Sequence, residues 1–251
     1  MTPPYLPWHA RAAILLRLLA IQGVWNYEMM LGNGIAFSLE PALRRLPGGR
    51  GGAPYRAAMA RNSGYFNAHP YLASVAVGAL ARAELEGIGE EQIERFRRAA
   101  PGPLGSVGDR LIWAGWLPFC SALGLLAFGL GVSPAGVVLI FLGCYNAGHL
   151  ALRIWGLHAG WRNGLRVATA LGNPVLRQGP AHLARATALV AGMALPVAAA
   201  GIIGPGRVLL GGVLAAVAGG AVVITLLHGR LEGWRLATLT LAGFVLYSMV
   251  R

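Results

Sequence analysis

Residues 111–132 read LIWAGWLPFCSALGLLAFGLGV, a run without an arginine, an aspartate or a glutamate. A helix needs roughly 20 mostly apolar residues to cross about 30 Å of hydrocarbon. This run meets the requirement. So do 134–152 (PAGVVLIFLGCYNAGHLAL), 186–206 and 208–227. A shorter apolar stretch, 236–250, carries Trp234 and Tyr247 near its ends, where interfacial aromatics belong. The expected fold is all-α: a polytopic membrane protein with about five transmembrane helices.

Composition agrees with that reading. The chain is 56% hydrophobic and 12% charged, with mean hydropathy +0.58, whereas an ordinary soluble domain carries about 25% charged residues. Every one of its 21 basic side chains is arginine, and the formal net charge is +12. A nucleic-acid-binding chain gathers its cations on one soluble face. Here the arginines flank apolar runs, the placement that fixes topology and meets anionic headgroups. Membrane lipids are therefore expected partners, and nucleic acid is not.

The arginines also set orientation. Residues 1–110 hold twelve, 153–185 hold five and 228–235 hold two, which leaves Arg207 and Arg251 on the other side. The positive-inside rule puts the N-terminus in the cytoplasm and the C-terminus outside. The first residues lack the pattern of a cleavable signal peptide.

The chain divides at about residue 110. Residues 1–110 contain eight of the nine acidic residues and no apolar run long enough to span, whereas 111–251 form one integrated transmembrane part. Two short apolar pieces, 12–24 and 69–81, read as amphipathic, interfacial or re-entrant segments. Such segments reach membrane depth only when buried in protein or lining a cavity. RRLPGGRGGAPYR (44–56) is a loop by its glycines and prolines. RAELEGIGEEQIERFRR (82–98) reads as a cytoplasmic helix, acids early and arginines late in keeping with the helix dipole.

Catalytic groupings are thin. The six histidines form no paired metal-binding spacing, and Cys120 and Cys144 lie within apolar runs as small hydrophobes. No metal or other cofactor is expected. Gly102, Gly105 and Gly108 mimic a phosphate loop, but the lysine and the preceding strand of such a loop are missing.

What remains are polar residues in apolar surroundings: Trp25, Asn26 and Glu28; Asn67 and His69 before Pro70; Asp109 in its glycine-rich stretch; and Asn146, His149 and Arg153. An ionisable group at membrane depth costs about 2.5–3.5 kcal/mol on insertion scales, so it faces a partner or a watery path. Each residue has two readings. Asp109 caps a helix starting at Leu111 or pairs with an arginine, or else it marks a polar path. Asn146 and His149 tie helices together or touch a ligand. Asn67 caps a helix that Pro70 starts, or it offers a donor and an acceptor to a ligand.

Four ordered stretches carry a family resemblance: QGVWNYEMMLGNGIAFSLEPALRRL, YFNAHPYLASVAVGALARAE, GPLGSVGDRLIW and CYNAGHLALRIWGLHAGWRNG. Together they resemble the IID membrane component of the mannose/fructose/sorbose family of the bacterial phosphoenolpyruvate-dependent sugar phosphotransferase system. The resemblance implies a multi-pass subunit of the bacterial inner membrane that joins a IIC subunit to form a sugar path. Cytoplasmic IIA and IIB phosphocarriers then phosphorylate the arriving hexose-type sugar. The IID component carries no phosphate, so no catalytic residue is expected in this chain. The resemblance further implies that the Asp109 stretch marks a helix break. It points to Trp25, Asn26, Glu28, Asn67, His69 and Asp109 as sugar-binding residues. A rival reading of the same ancestry is a non-transporting scaffold that docks phosphotransfer proteins.

Overall fold

The computed structural model describes residues 4–203 and, beyond them, only Gly211 and Gly219. The expected spans at 208–227 and 236–250, and the C-terminus, lie outside the described residues. Ten α-helices follow one another: α1 (Trp8–Leu19), α2 (Gly32–Leu43), α3 (Ala53–Ser63), α4 (Ala73–Leu85), α5 (Glu90–Ala99), α6 (Pro101–Gly108), α7 (Leu117–Gly129), α8 (Pro134–Asn163), α9 (Ala168–Leu171) and α10 (Pro174–Ile203). A 3-10 turn at Gly49–Gly51 precedes α3, and a π-helical stretch, Asp109–Trp116, joins α6 to α7.

α4 is the centre of the N-terminal part. Its sequence ASVAVGALA is apolar on every side, and a helix without a polar face has to be buried. Ala73 to Ala81 are all buried, with Leu72, Val75, Val77 and Leu80 fully enclosed. The short apolar piece at 69–81 is thus a core helix enclosed by protein. It starts three residues after Pro70, at Ala73. α1 buries one face and leaves apolar residues on the other: Ala10, Ile14 and Leu18 are buried at four-residue spacing, and Trp8, Leu16 and Leu19 are exposed.

α4 docks on the second half of α8 through glycine. A Cβ on Gly78 would meet the backbone nitrogen of Trp161 at 2.7 Å, and a Cβ on Gly160 would meet that of Ala79 at 2.9 Å. Only hydrogen at these positions lets the two backbones come so close, as in other small-xxx-small contacts.

Two acids of this part, Glu40 and Glu84, are buried counter-charges. Glu40 accepts from Arg17, Arg44 and Arg50, and Glu84 accepts from both Arg61 (2.8 Å) and Asn62 (2.7 Å). Burial alone would raise the Glu40 carboxyl, but the hydrogen bonds from Arg44, Arg17 and Arg50 outweigh it and hold the pKa at about 2.

Three expectations are corrected. The stretch 44–56 is not all loop, because α3 starts at Ala53. The stretch 82–98 is not one helix: α4 ends at Leu85, Gly87 turns with φ +67°, and α5 starts at Glu90. A left-handed φ suits glycine because it has no Cβ to clash. Nor does the chain break at Asp109. The bend falls at Ala100, immediately before Pro101, whose ring cannot donate to the preceding turn. Asp109 itself has right-handed helical torsions and lies within helix. A first long apolar helix therefore begins ahead of residue 111. Glu90–Gly129 and Pro134–Asn163 are both long and apolar enough to cross a membrane. Residues 186–203 of the window 186–206 lie on the end of α10, and the rest of it falls outside the described residues.

Candidate functional site

The polar residues of the second and fourth stretches meet around one ring, Tyr71. The Tyr71 hydroxyl lies 2.7 Å from that of Tyr145 on α8. His149, one turn further along α8, stacks on the Tyr71 ring at 4.9 Å, and the Arg153 guanidinium lies 4.7 Å from its centroid. Tyr145, His149 and Arg153 sit at four-residue spacing, one face of a helix. His69 packs edge-on against Tyr71 at 4.9 Å and lies 5.1 Å from Trp113.

His69 is buried because Gly108 lets it in. A side chain at position 108 would occupy the space of the His69 Cβ and Cγ, and the Cα of Ala68 lies against Gly105. Gly105 and Gly108 thus form a groove in the helix that seats the segment 67–69. Gly102 faces open space.

The hydrogen-bond accounts of these groups are incomplete. His69 Nδ1 accepts from the Tyr71 backbone N–H at 3.2 Å, which puts the proton on Nε2, and buried Nε2 has no acceptor among the described residues. Arg153 donates to the carbonyl of Leu18, but its buried Nε–H has no partner there either. His149 Nε2 pairs with Asn146 Oδ1 at 2.8 Å, while Asn146 Nδ2 donates to Leu142. His149 Nδ1 is then a bare buried acceptor. A buried donor or acceptor without a partner costs about 1–3 kcal/mol. Two free donors and one free acceptor around one ring are suited to a group that both accepts and donates, such as a hydroxyl or water.

The six sequence-derived site residues fall into three places. His69 is inside this cluster. Asn67, two residues before His69, and Asp109, next to Gly108, are both exposed, and neither makes a side-chain hydrogen bond among the described residues. Asn67 therefore does not cap α4, and Asp109 neither caps a helix nor pairs with an arginine here. Trp25, Asn26 and Glu28 occupy an exposed turn. Asn26 Oδ1 is used up in that turn, accepting from the backbones of Glu28 (3.0 Å) and Met29 (2.8 Å). The turn is stitched to the second stretch through Leu31 N–H to Phe66 (3.0 Å) and Phe66 N–H to Met29 (3.2 Å).

Sequence reasoning missed Tyr145 and Trp113. Four-residue spacing with His149 and Arg153 was the available signal for Tyr145. No spacing signal marks Trp113, whose place is set by the groove at Gly108.

The family whose pattern matches residues 8–195 is described as "PTS system mannose/fructose/sorbose family IID component". The chain belongs to this IID family. It is 32% identical over 170 residues to the mannose-specific EIID component of Escherichia coli (strain K12), covering 66% of this chain and 59% of that one. It is 31% identical over 171 residues to the sorbose-specific EIID component of Klebsiella pneumoniae, covering 66% and 61%. The chain thus spans about three fifths of the length of the curated relatives it matches.

Two solved structures share the fold. One is titled "Structure of membrane protein" (TM-score 0.68, 23% identity, 98% of each chain). The other is a cryo-EM structure of mannose transporter ManYZ in complex with microcin E492 (TM-score 0.58, 24% identity, 98% of this chain and 97% of that one). As a IID component of the phosphotransferase-system family, the chain is a membrane protein, consistent with the two long apolar helices among the described residues.

Proposed function

We propose that this IID chain is a subunit of a sugar permease, multi-pass in the bacterial inner membrane with its N-terminus in the cytoplasm and its C-terminus outside. It forms the translocation path with a IIC subunit, and cytoplasmic IIA and IIB proteins phosphorylate the hexose-type sugar on entry. Family membership supports the reading, as do relatives named for mannose and sorbose. The observation that carries the site is the exposed trio Asn67, Asp109 and Trp113 flanking buried His69. An amide, a carboxylate and an indole face are the groups that hold a neutral, hydroxyl-rich ring, because together they donate, accept and cover its apolar side. Trp25 and Glu28 lie on the exposed turn that is stitched to Phe66, the residue before Asn67. Asn26 holds that turn in shape.

The test is uptake of labelled hexoses in cells expressing the chain with its IIC, IIB and IIA partners, together with calorimetry on the co-purified membrane complex. Asn67→Ala is expected to weaken sugar binding without loss of the complex, and Asp109→Asn to lower uptake at equal membrane levels. Unchanged sugar affinity in both variants would overturn the site assignment. Failure of the chain to co-purify with any IIC would overturn the subunit role.

A further inference from the structure

α5 carries three arginines near its end, and the structure sets one apart: Arg95 and Arg98 are exposed, whereas Arg97 is 4% exposed. A guanidinium withdrawn from water needs partners for its donors. Arg97 finds them in the backbone. Nη1 donates to the carbonyl of Asn62 at 3.1 Å, and Nη2 donates to that of Gly64 at 2.7 Å. The Glu94 carboxylate is farther, at 3.8 Å. Both carbonyls stand at the end of α3, where helix carbonyls lack partners of their own and the dipole is negative. The same guanidinium lies 5.7 Å from the ring centroid of Phe66, which is fully buried.

Phe66 is a junction. Its backbone pairs with Met29 and Leu31, which holds the turn bearing Trp25 and Glu28, and the residue after it is Asn67. Arg97 therefore grips the chain on both sides of exposed Tyr65, by the carbonyls of residues 62 and 64 before it and by the Phe66 ring after it. The grip is braced from behind. Asn62 Nδ2 donates to Glu84 at 2.7 Å, and Arg61 donates to both oxygens of that carboxylate at 3.1 and 2.8 Å. We propose that Arg97 is a positioning residue for sugar binding, one that sets where Asn67 and the turn at 25–28 stand without itself touching the sugar. This role rests on the sugar reading of those residues given above. Lysine is no substitute, because one ammonium on a flexible stem cannot bridge two carbonyls and cover an aromatic face together.

The experiment compares Arg97→Lys, its exposed neighbour Arg98→Lys and Asn67→Ala in the full chain with its partner subunits, at equal membrane levels. Misplacing a binding group by about 1 Å costs up to about a hundredfold. Arg97→Lys should therefore raise the KM for labelled hexose at least about tenfold and leave kcat unchanged, while Arg98→Lys matches the wild type. Because Arg97 acts through Asn67, Arg97→Lys with Asn67→Ala should lose less affinity than the product of the two single losses. A spin label at Tyr65→Cys, with Cys120→Ala and Cys144→Ala removing the native thiols, reports the segment without sugar. It should be ordered beside Arg97 and mobile beside lysine. A label that stays ordered in Arg97→Lys, or an unchanged KM there while Asn67→Ala raises it, would overturn the positioning role and leave the sugar site standing. A mobile label together with a harmless Asn67→Ala would overturn the sugar assignment, and with it the role of Arg97 in binding. Loss of the complex in Arg97→Lys, or a fall in kcat at constant KM, would mark the residue as structural and overturn the proposal.

Discussion

His69 owes its place to an absence, the missing side chain at Gly108. Gly108→Leu forces that ring out of its seat, and overpacking of this kind costs about 1–3 kcal/mol. Gly102→Ala, whose new methyl meets nothing within 4 Å, should instead be neutral or stabilising by up to about 1 kcal/mol, the helical preference of alanine over glycine. Melting temperatures of the two variants side by side separate the roles of the two glycines. Tyr71 and Tyr145 invite a second measurement. Each Tyr→Phe change should cost about 0.5–1.5 kcal/mol, and the double variant little more than either single one, because both remove one hydrogen bond. Strictly additive losses would show that the two hydroxyls do not share a bond. At this scale the sequence exposes residue types but not their neighbours. His69 beside Pro70 was legible as unusual, and Asn146, His149 and Arg153 were legible as a polar group in an apolar run. That His69 and His149 both pack on one tyrosine was not, because the Tyr71–His149 contact joins positions 78 residues apart and the seat of His69 depends on a glycine in another helix.

Among the elements, the joint between α4 and α8 has the least tolerance. Gly78→Val or Gly160→Val would place methyl groups where backbone of the other helix already lies, so the two helices cannot remain at this separation. Both variants should lose folded protein in the membrane fraction. Gly143→Ala on the open side of α8 should leave the yield unchanged. Normal yield and melting temperature for Gly160→Val would refute this picture of the joint. The long helices were legible because their apolar runs exceed what any soluble helix surface carries: Val138, Leu139 and Ile154 on α8 remain more than half exposed. α4 was legible as apolar and short, but length alone does not separate a core helix from a re-entrant one. The helix break was misplaced for a physical reason. Glycines permit a bend without requiring one, whereas Pro101 removes a hydrogen bond and so fixes the bend at Ala100.

At the scale of the whole described structure, charge pairing is most concentrated where one acid meets several arginines. Glu40 binds three of them, and its pKa of about 2 lies below the ordinary carboxylate value of 4.5. The sign follows. Protonation is harder in the folded chain than in the unfolded one, so the contribution of Glu40 to stability is complete above about 4.5 and is lost as pH falls towards 2. Glu40→Gln should lower the melting temperature at neutral pH and narrow its gap to the wild type below pH 4.5. A gap independent of pH would mean that the three arginines do not act through the carboxylate charge. The π-helical stretch has a consequence of a different sort. Winding i to i+5 fits more residues into each turn than α winding does, so Asp109–Trp116 stores surplus chain length inside a helix whose two ends are fixed by packing. That length can be given up. Deleting one residue within 109–116 lets the remainder rewind as α-helix while Gly108 and Leu117 keep their places. The same deletion in α8 would turn every later side chain by about 100° and pull Arg153 away from Tyr71.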